Sequence, residues 1–312
     1  MAFFLPLLTR PDALLHASLV AATPLLLAAL AESIVQRSGV INIGLEGILL
    51  VGAFAGMMGS YFSGSPLVGL LAGAGSGFLL ALLFGFLTIG LAADQIIVGV
   101  SLNLLSLGVT GVLYRGLFGV TGQVLQVTTF SPLPLPFLSM LPFFGPALFN
   151  HTVLVYLAVG LVPFLSFVLF RLRAGLHLQA VGLHPHAAET LGISVRKVRV
   201  FAIAMEGILG GIAGSYLSLA YSNTFIEGMS AGRGFIALAI VIFGRWTPIG
   251  ALGGALFFGA ATALQFHLQA LGSTLPYQFV LMLPYILTLL TLVLVGSRVS
   301  PPAALGQEYR RE

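Results

Sequence analysis

The 312-residue chain contains no cysteine and very little charge. Without cysteine it can form no disulfide, no thiolate metal site and no thiol nucleophile. Its 13 Lys and Arg and 9 Asp and Glu make up only 7% of the residues, whereas soluble domains are about one quarter charged. So few charges cannot cover a water-facing surface, which excludes a soluble enzyme. A net charge of +4 does not indicate nucleic-acid binding either, and we expect no nucleic-acid partner.

Apolar residues are abundant instead, at 58% of the chain, together with 39 glycines. Charge-free stretches cover 47–93, 116–170 and 246–297, and a membrane-spanning helix needs about 20 apolar residues. We therefore predict an all-α, polytopic membrane protein of eight to nine spanning helices, with residues 1–312 forming a single transmembrane domain. The predicted spans are 13–35, 40–62, 67–91, 95–114, 152–171, 198–221, 248–268 and 276–296.

Two further segments do not fit a regular span. The apolar run 234–243 is too short to cross the bilayer fully and is expected to enter partway. The stretch 116–147 is rich in proline, phenylalanine and glycine, which predicts a long external loop with re-entrant pieces.

The distribution of cations predicts the orientation. If 171–199 is cytoplasmic, ten cations lie inside: Arg37, Arg171, Arg173, Arg196, Lys197, Arg199, Arg245, Arg298, Arg310 and Arg311. Only Arg10, Arg115 and Arg233 are then outside, as the positive-inside rule requires. The tail 297–312 is accordingly cytoplasmic and, with nine crossings, the N-terminus is external. If 234–243 does not cross, the N-terminal side changes.

Glycines four residues apart predict close helix packing, because small residues let backbones approach in lipid. They are Gly52 and Gly56, Gly69, Gly73 and Gly77, Gly207 and Gly211, Gly210 and Gly214, and Gly250 and Gly254. The run 39–44 before Pro66 is also echoed by 232–237 before Pro248. The two copies run in opposite directions in the predicted topology, which suggests an inverted repeat of the kind found in transporters.

Polar residues at membrane depth are the candidate pathway groups, because an ionisable side chain there costs about 2.5–3.5 kcal/mol. Glu46 and Glu206 are the clearest cases, and Asn42 is placed one helical turn before Glu46, on the same face. Asn103, Gln95 and Ser101 form a second polar set on the fourth predicted span. We predict a substrate pathway lined by Asn42, Glu46, Asn103 and Ser101. The alternative is that these groups only form hydrogen bonds between helices.

The polar stretch 174–199 is expected to form a coupling region on the cytoplasmic side. Pro185 suits the first turn of a short amphipathic helix and Gly192 suits its end. His184 and His186 flank Pro185 as a metal dyad would, but a solvated loop is favoured over a metal site. The sequence contains no phosphate-binding loop and no H-E-x-x-H site. The energy for transport must then come from another subunit or an ion gradient.

Four ordered stretches resemble the membrane subunits of nucleoside ABC importers. They are LAESIVQRSGVINIGLEG (30–47), LAADQIIVGVSLNLLSLGVTGVLYRGLFG (91–119), QAVGLHPHAAETLGISVRKVRVFAIAMEGILGGIAGSYLS (179–218) and GRGFIALAIVIFGRWTPIGALGGALFFG (232–259). The resemblance covers nearly the whole chain. These subunits are similar to permeases for simple sugars and branched-chain amino acids, which belong to the same larger family.

The resemblance implies that 183–192 is a coupling helix that docks on the ATPase, with Pro185, Ala188, Glu189 and Gly192 as the coupling residues. The family usually has a Glu-Asn-Pro-Arg run where this chain has 183–186 as Leu-His-Pro-His. The resemblance also implies a cytoplasmic ABC ATPase that binds ATP and magnesium, a second homologous permease and an extracytoplasmic substrate-binding lipoprotein. The permease itself is then non-catalytic, carries no cofactor and lies in the plasma membrane. The expected solute is a nucleoside or related purine.

The alternatives are a permease for simple sugars or branched-chain amino acids, and a stand-alone secondary transporter or channel. An ion-coupled carrier is expected to need more buried carboxylates than Glu46 and Glu206. A membrane enzyme is disfavoured, because the sequence shows no cluster of acids, bases or metal ligands.

Overall fold

The computed structural model describes residues 11–119, 125–140, 142, 144–270 and 300–309, with isolated positions between 278 and 293. Seven of its helices are long and apolar enough to cross a membrane. These are α1 (Pro11–Arg37), α2 (Leu45–Ser63), α3 (Pro66–Gly85), α4 (Gln95–Phe118), α6 (Val153–Arg171), α9 (Val195–Tyr216) and α11 (Pro248–Ala270). The shorter helices are α5 (Phe144–Leu148), α7 (Arg173–Leu183), α8 (Pro185–Thr190) and α10 (Arg233–Phe243). The prediction of an all-α polytopic membrane protein is confirmed.

The ends of several helices follow from local sequence. Asp94 precedes α4, and its carboxylate accepts the amides of Ile96 and Ile97, both at 2.9 Å, as an N-cap residue does. Pro66 occupies the first turn of α3, where its missing N–H costs nothing. Two wider, π-helical turns extend α3 over Phe86–Gly90 and α9 over Leu217–Tyr221.

Two predicted boundaries were wrong, and one helix was missed. Residues 40–44 are not helical, because α2 begins only at Leu45. Helix α4 continues to Phe118, beyond the predicted end at 114. The sequence analysis also missed α7 (Arg173–Leu183), an 11-residue helix between the fifth span, α6, and the short helix α8. The predicted span 276–296 lies mostly outside the described residues.

The interior of the bundle is built around α1, α2 and α9. Residues Leu27–Ala31 in the middle of α1 are fully buried on all sides, which is typical of a helix surrounded by others. Glycines bring α2, α3 and α9 together: a Cβ added to Gly52 of α2 would lie 2.6 Å from the Gly211 carbonyl oxygen of α9. In contrast, α3 and α4 bury less of their length, and their outer faces carry exposed aliphatic side chains such as Leu71 and Leu104.

The described part of the loop before α6 contains little regular secondary structure. Leu133–Pro134 and Asn150–His151 form a two-residue antiparallel pair, which is the only strand pairing among the described residues. Between them lie the 3₁₀ turn Leu138–Met140 and the helix α5. Ser60, near the end of α2, donates to the Thr128 carbonyl at 2.6 Å. This contact places the loop beside the ends of α2 and α3.

Candidate functional site

The turn 38–44 between α1 and α2 is a break in the helical structure that stays inside the bundle. Its backbone groups are bound by side chains: Gln95 accepts the Ile41 amide at 2.9 Å, and Asn103 donates to the Ile43 carbonyl at 2.9 Å. Non-helical backbone is tolerated in a membrane only where protein or water satisfies it. The bundle interior therefore holds this segment in place.

A second break lies between α9 and α10. Residues 222–232 are non-helical, and Gly232 adopts a left-handed φ of +78° immediately before α10, a conformation that costs glycine little. Helix α10 has only 11 residues, about 16 Å at 1.5 Å per residue. This is about half of a hydrocarbon core about 30 Å thick, so the prediction that this helix is too short to cross fully is confirmed.

The carboxylate of Glu46 joins these two breaks. It accepts the Gly232 amide at 2.7 Å and the Gly234 amide at 2.7 Å, one on each oxygen. A Cβ added to Gly234 would lie 2.6 Å from the Glu46 backbone nitrogen, so the first turns of α2 and α10 are in direct contact. Both are helix N-termini with a partial positive charge, and a carboxylate there is favourable for each.

From this junction the two helices run in opposite directions. Helix α10 leads to Trp246, whose indole donates to Gln36 at 2.6 Å near the end of α1. Helix α2 leads instead to Ser60 and the loop before α6. Asn103 of α4 is eight residues, about 12 Å, from the start of its helix at Gln95. The junction thus lies about midway through the bundle.

Asn103 belongs to this junction. Its side-chain oxygen accepts the Gly47 amide at 2.7 Å, in addition to the bond from its NH₂ group to Ile43. The side chain is half-buried, like that of Glu46. The structure therefore brings together two of the predicted pathway residues, Glu46 and Asn103, at one place.

The prediction that Asn42 faces the same side as Glu46 was wrong, because Asn42 precedes the helix instead of lying in it. Its side chain is fully buried, donates to Glu206 at 2.9 Å and accepts the Gly44 amide at 2.9 Å. Ser101 is exposed and donates to the Ile97 carbonyl of its own helix at 2.8 Å. Neither side chain hydrogen-bonds to Glu46 or Asn103.

Sequence analysis missed Glu32. This carboxyl group of α1 is fully buried and accepts the Gln36 side chain at 2.8 Å. Because Glu32 lies near the end of the predicted span 13–35, its position in the sequence suggests a group at the membrane interface. The rule that singled out Glu46, an ionisable residue within an apolar helix, was the signal that could have found it.

The outer part of the second break is fixed by an ion pair. Arg115 of α4 makes two hydrogen bonds to Glu227, at 2.8 and 2.6 Å. It is the only salt bridge in the described part of the chain. The bidentate geometry holds 222–232 along α4.

The coupling region forms a small helical platform on the side of Arg37. Helix α8 starts at Pro185 and the chain turns at Gly192, whose φ of +82° is left-handed, so the predicted helix and its end are confirmed. Ala188 is buried against Val181 and Val195. Leu191 is 81% exposed, which makes it an apolar side chain available to a partner.

The C-terminal tail connects this platform to the first break. Ala304 donates its amide to Gly182 of α7 and Gly306 donates to Gly39, both at 3.0 Å. Tyr309 donates its hydroxyl to Glu189 of α8. Arg199 of α9 donates to the carbonyl of Ser38 at 3.2 Å and to that of Gln307 at 3.2 Å. The tail therefore contacts both α8 and residues 38–44.

A bundle with two broken segments meeting in its middle is the architecture of a membrane transport protein. The family of permease components of branched-chain amino acid transport systems matches residues 14–295, and the chain belongs to this family. It is accordingly a multi-pass plasma membrane protein and an ABC transporter permease.

Three curated relatives match almost the full length. The guanosine ABC transporter permease protein NupQ of Bacillus subtilis is 37% identical, over 94% of this chain and 95% of that protein. The "Putative glucose ABC transporter permease protein TsgC13" of Haloferax volcanii is 39% identical, over 96% and 98%. The nucleoside ABC transporter permease protein NupC of Lactococcus lactis is 35% identical, over 93% and 94%. In each of these organisms a second permease of similar name also matches, at 25–30% identity. No solved structure matches.

Proposed function

We propose that the chain forms the translocation pathway for a nucleoside or related purine solute in an ATP-driven ABC importer. The observation that carries the pathway is the contact of the α2 and α10 N-termini at Glu46, midway through the bundle. Support for the solute comes from the relatives NupQ and NupC, whose names specify guanosine and nucleosides.

The second candidate solute is a simple sugar. It is favoured by the 39% identity to TsgC13, whose name specifies glucose. Uptake of labelled guanosine, adenosine, uridine and glucose in cells with and without this chain separates the two. Loss of nucleoside uptake on deletion, with glucose uptake unchanged, is the expected result. Loss of glucose uptake alone would refute the nucleoside assignment and keep the permease function.

Along the pathway, Glu46 and Asn103 are the strongest candidates for contact with solute or with water around it, because both are half-buried at the junction. Their hydrogen bonds to backbone amides position them. Asn42 and Ser101 stay predictions as pathway residues. The full burial of Asn42 favours a role in holding 38–44, and the exposure of Ser101 favours a face covered by lipid or by a second subunit.

The proposed partners are a cytoplasmic ATPase, a second permease and a substrate-binding lipoprotein. ATP and magnesium are bound by the ATPase, and this chain has no catalytic role. The paired permeases of the three relatives' organisms support a second, different permease. The exposed aliphatic face of α4, with Ile97, Leu104 and Val112 each more than 60% exposed, suits such a partner.

In the proposed mechanism, ATP binding draws the two ATPases together and moves α8 with them. The tail and α7 transmit this movement to 38–44, because Gly182 packs against the Arg37 carbonyl and bonds to Ala304. Residues 38–44 lead directly into the first turn of α2 and Glu46. ATP binding thereby shifts the population between two arrangements of the junction, and hydrolysis restores the first.

Copurification of the ATPase tests the coupling role. Leu191→Ser removes the most exposed apolar side chain of the coupling helix region, while Leu176→Ser changes a 52% exposed leucine on α7. We expect the first to lose the ATPase and the second to retain it. Equal retention by both would contradict docking through 183–192.

A further inference from the structure

Two carboxyl groups meet inside the bundle without a cation. Glu32 of α1 and Glu206 of α9 are both fully buried, and their carboxyl groups lie within hydrogen-bond reach of each other. Neither carboxyl group forms a salt bridge within the part of the chain that the structure describes. Two like charges in contact and out of water would each carry a large desolvation cost with no compensating attraction.

The hydrogen bonds around the pair leave one oxygen of each group without a donor. Glu32 Oε1 accepts from Gln36 at 2.8 Å and from the Asn42 amide at 3.4 Å. Glu206 Oε2 accepts from the Asn42 side chain at 2.9 Å. The other two oxygens, Glu32 Oε2 and Glu206 Oε1, are buried and have no partner in the described part of the chain. Buried polar atoms are normally satisfied, so a donor is missing here.

The charged groups on the surrounding elements have other partners. Arg37 bonds to the Trp246 carbonyl, Arg199 to the carbonyls of Ser38 and Gln307, and Glu46 to Gly232 and Gly234. Arg233 bonds to the carbonyls of Met229 and Ser230. The exposed cations of the neighbouring elements lie at the cytoplasmic ends of their helices: Arg171, Arg173, Arg196 and Lys197. Helix α3, which packs on α9, carries no charged residue.

We propose that Glu32 and Glu206 bind and share a proton, which bonds their two unpartnered oxygens and clamps 38–44 to α1 and α9. A proton on one carboxyl makes that group the missing donor and leaves the other as its acceptor. At most one negative charge then remains in the pair, and Asn42 and Gln36 donate hydrogen bonds to the two carboxyl groups. Because Asn42 donates to both carboxyl groups, the shared proton fixes the segment that leads to Glu46.

The carbonyl stretching band of a protonated carboxyl group tests this directly. The chain has only nine Asp and Glu side chains, and free glutamic acid titrates near pH 4.3. The full chain, purified in lipid at pH 7.5 and labelled with ¹³C-glutamate, is expected to show a protonated-carboxyl band in the infrared spectrum that shifts with the label. Absence of this band in the wild-type protein overturns the proposal.

Assignment of the band uses the double variant Glu32→Gln, Glu206→Gln. Its two amides can reproduce the hydrogen bond between the side chains without a titratable proton, so we expect insertion to be retained and the band to be lost. Glu227→Gln is the matched control and is expected to keep the band. If the double variant does not insert, single Gln variants at Glu46, Glu189, Glu227, Glu308 and Glu312 assign the band by elimination. Loss of the band in one of these, or its persistence in the double variant, overturns the proposal.

Discussion

Removing the Glu46 carboxylate is expected to loosen the junction of α2 and α10. Glu46→Ala leaves the amides of Gly232 and Gly234 without the oxygens that they contact at 2.7 Å. Hydrogen bonds to charged groups contribute about 1.5–3 kcal/mol each. Because Glu46 is half-buried and water can partly replace it, we take the lower end and expect a loss of about 3 kcal/mol.

The Gln variant makes the same reasoning more specific. Glu46→Gln keeps one oxygen for one amide, but its NH₂ group faces the other N–H, where two donors oppose each other. We expect a loss of about 1.5 kcal/mol, half that of the Ala variant. The assay is the apparent melting temperature of the purified chain in lipid. The control is Glu227→Ala, an exposed carboxylate paired with Arg115, for which a smaller decrease is expected.

Two outcomes would refute parts of this argument. If Glu46→Ala is as stable as Glu227→Ala, the two amide contacts do not hold the junction together. Uptake per inserted molecule tests the pathway separately from stability. If uptake and inserted protein fall by the same factor in Glu46→Gln, Glu46 has a structural role only and the solute does not pass beside it.

Two glycine variants and one pH dependence provide further tests. Gly234→Ala should lower thermal stability, because its Cβ would lie 2.6 Å from the Glu46 nitrogen, whereas Gly253→Ala, with no atom within 4 Å, should not; equal effects would contradict the close approach. Gly52→Ala should disturb the packing of α2 on α9 and lower the melting temperature, because the added Cβ would lie 2.6 Å from the Gly211 carbonyl oxygen. Gly75→Ala, where no atom lies within 4 Å of the added Cβ, should not. An unchanged melting temperature of Gly52→Ala would show that the two helices separate at little cost. Burial lowers the pKa of the His151 imidazole; the hydrogen bond to the Ala147 carbonyl opposes this shift and the nearby His16 adds to it. The contribution of His151 to stability should therefore be complete above about pH 6.5 and fall at lower pH, because the unfolded state takes up the proton first. Melting temperatures measured from pH 5 to 8 check this, and a pH dependence that persists in His151→Gln would assign the effect to another group.

Much of the fold could be predicted from the sequence because a bilayer imposes a simple rule. Apolar runs must be long enough to cross and charges must stay near the ends, so seven spans were predicted within a few residues. Helix α8 also followed from local chemistry, since proline suits the start of a helix and glycine a left-handed turn after it. Helix α7 was missed because its polar composition resembles that of an interfacial loop.

The candidate site was only partly predictable. Glu46 and Asn103 were singled out because polar groups at membrane depth are costly, and they do lie together. Hydropathy could not show that residues 40–44 are unwound, because apolar residues suit a helix and a buried turn equally. For the same reason the expected partnership of Asn42 with Glu46 was wrong.

The sequence by itself determined that this is a membrane protein and which segments are apolar enough to cross. These properties depend on the transfer of each segment from water to lipid, which is a local quantity. The tertiary structure decided what each buried polar group does. Glu46 binds amides 186 and 188 residues away, and Glu32 meets Glu206 on another helix. Such partners are chosen by the packing of distant helices, because only the folded bundle brings their donors and acceptors out of water together.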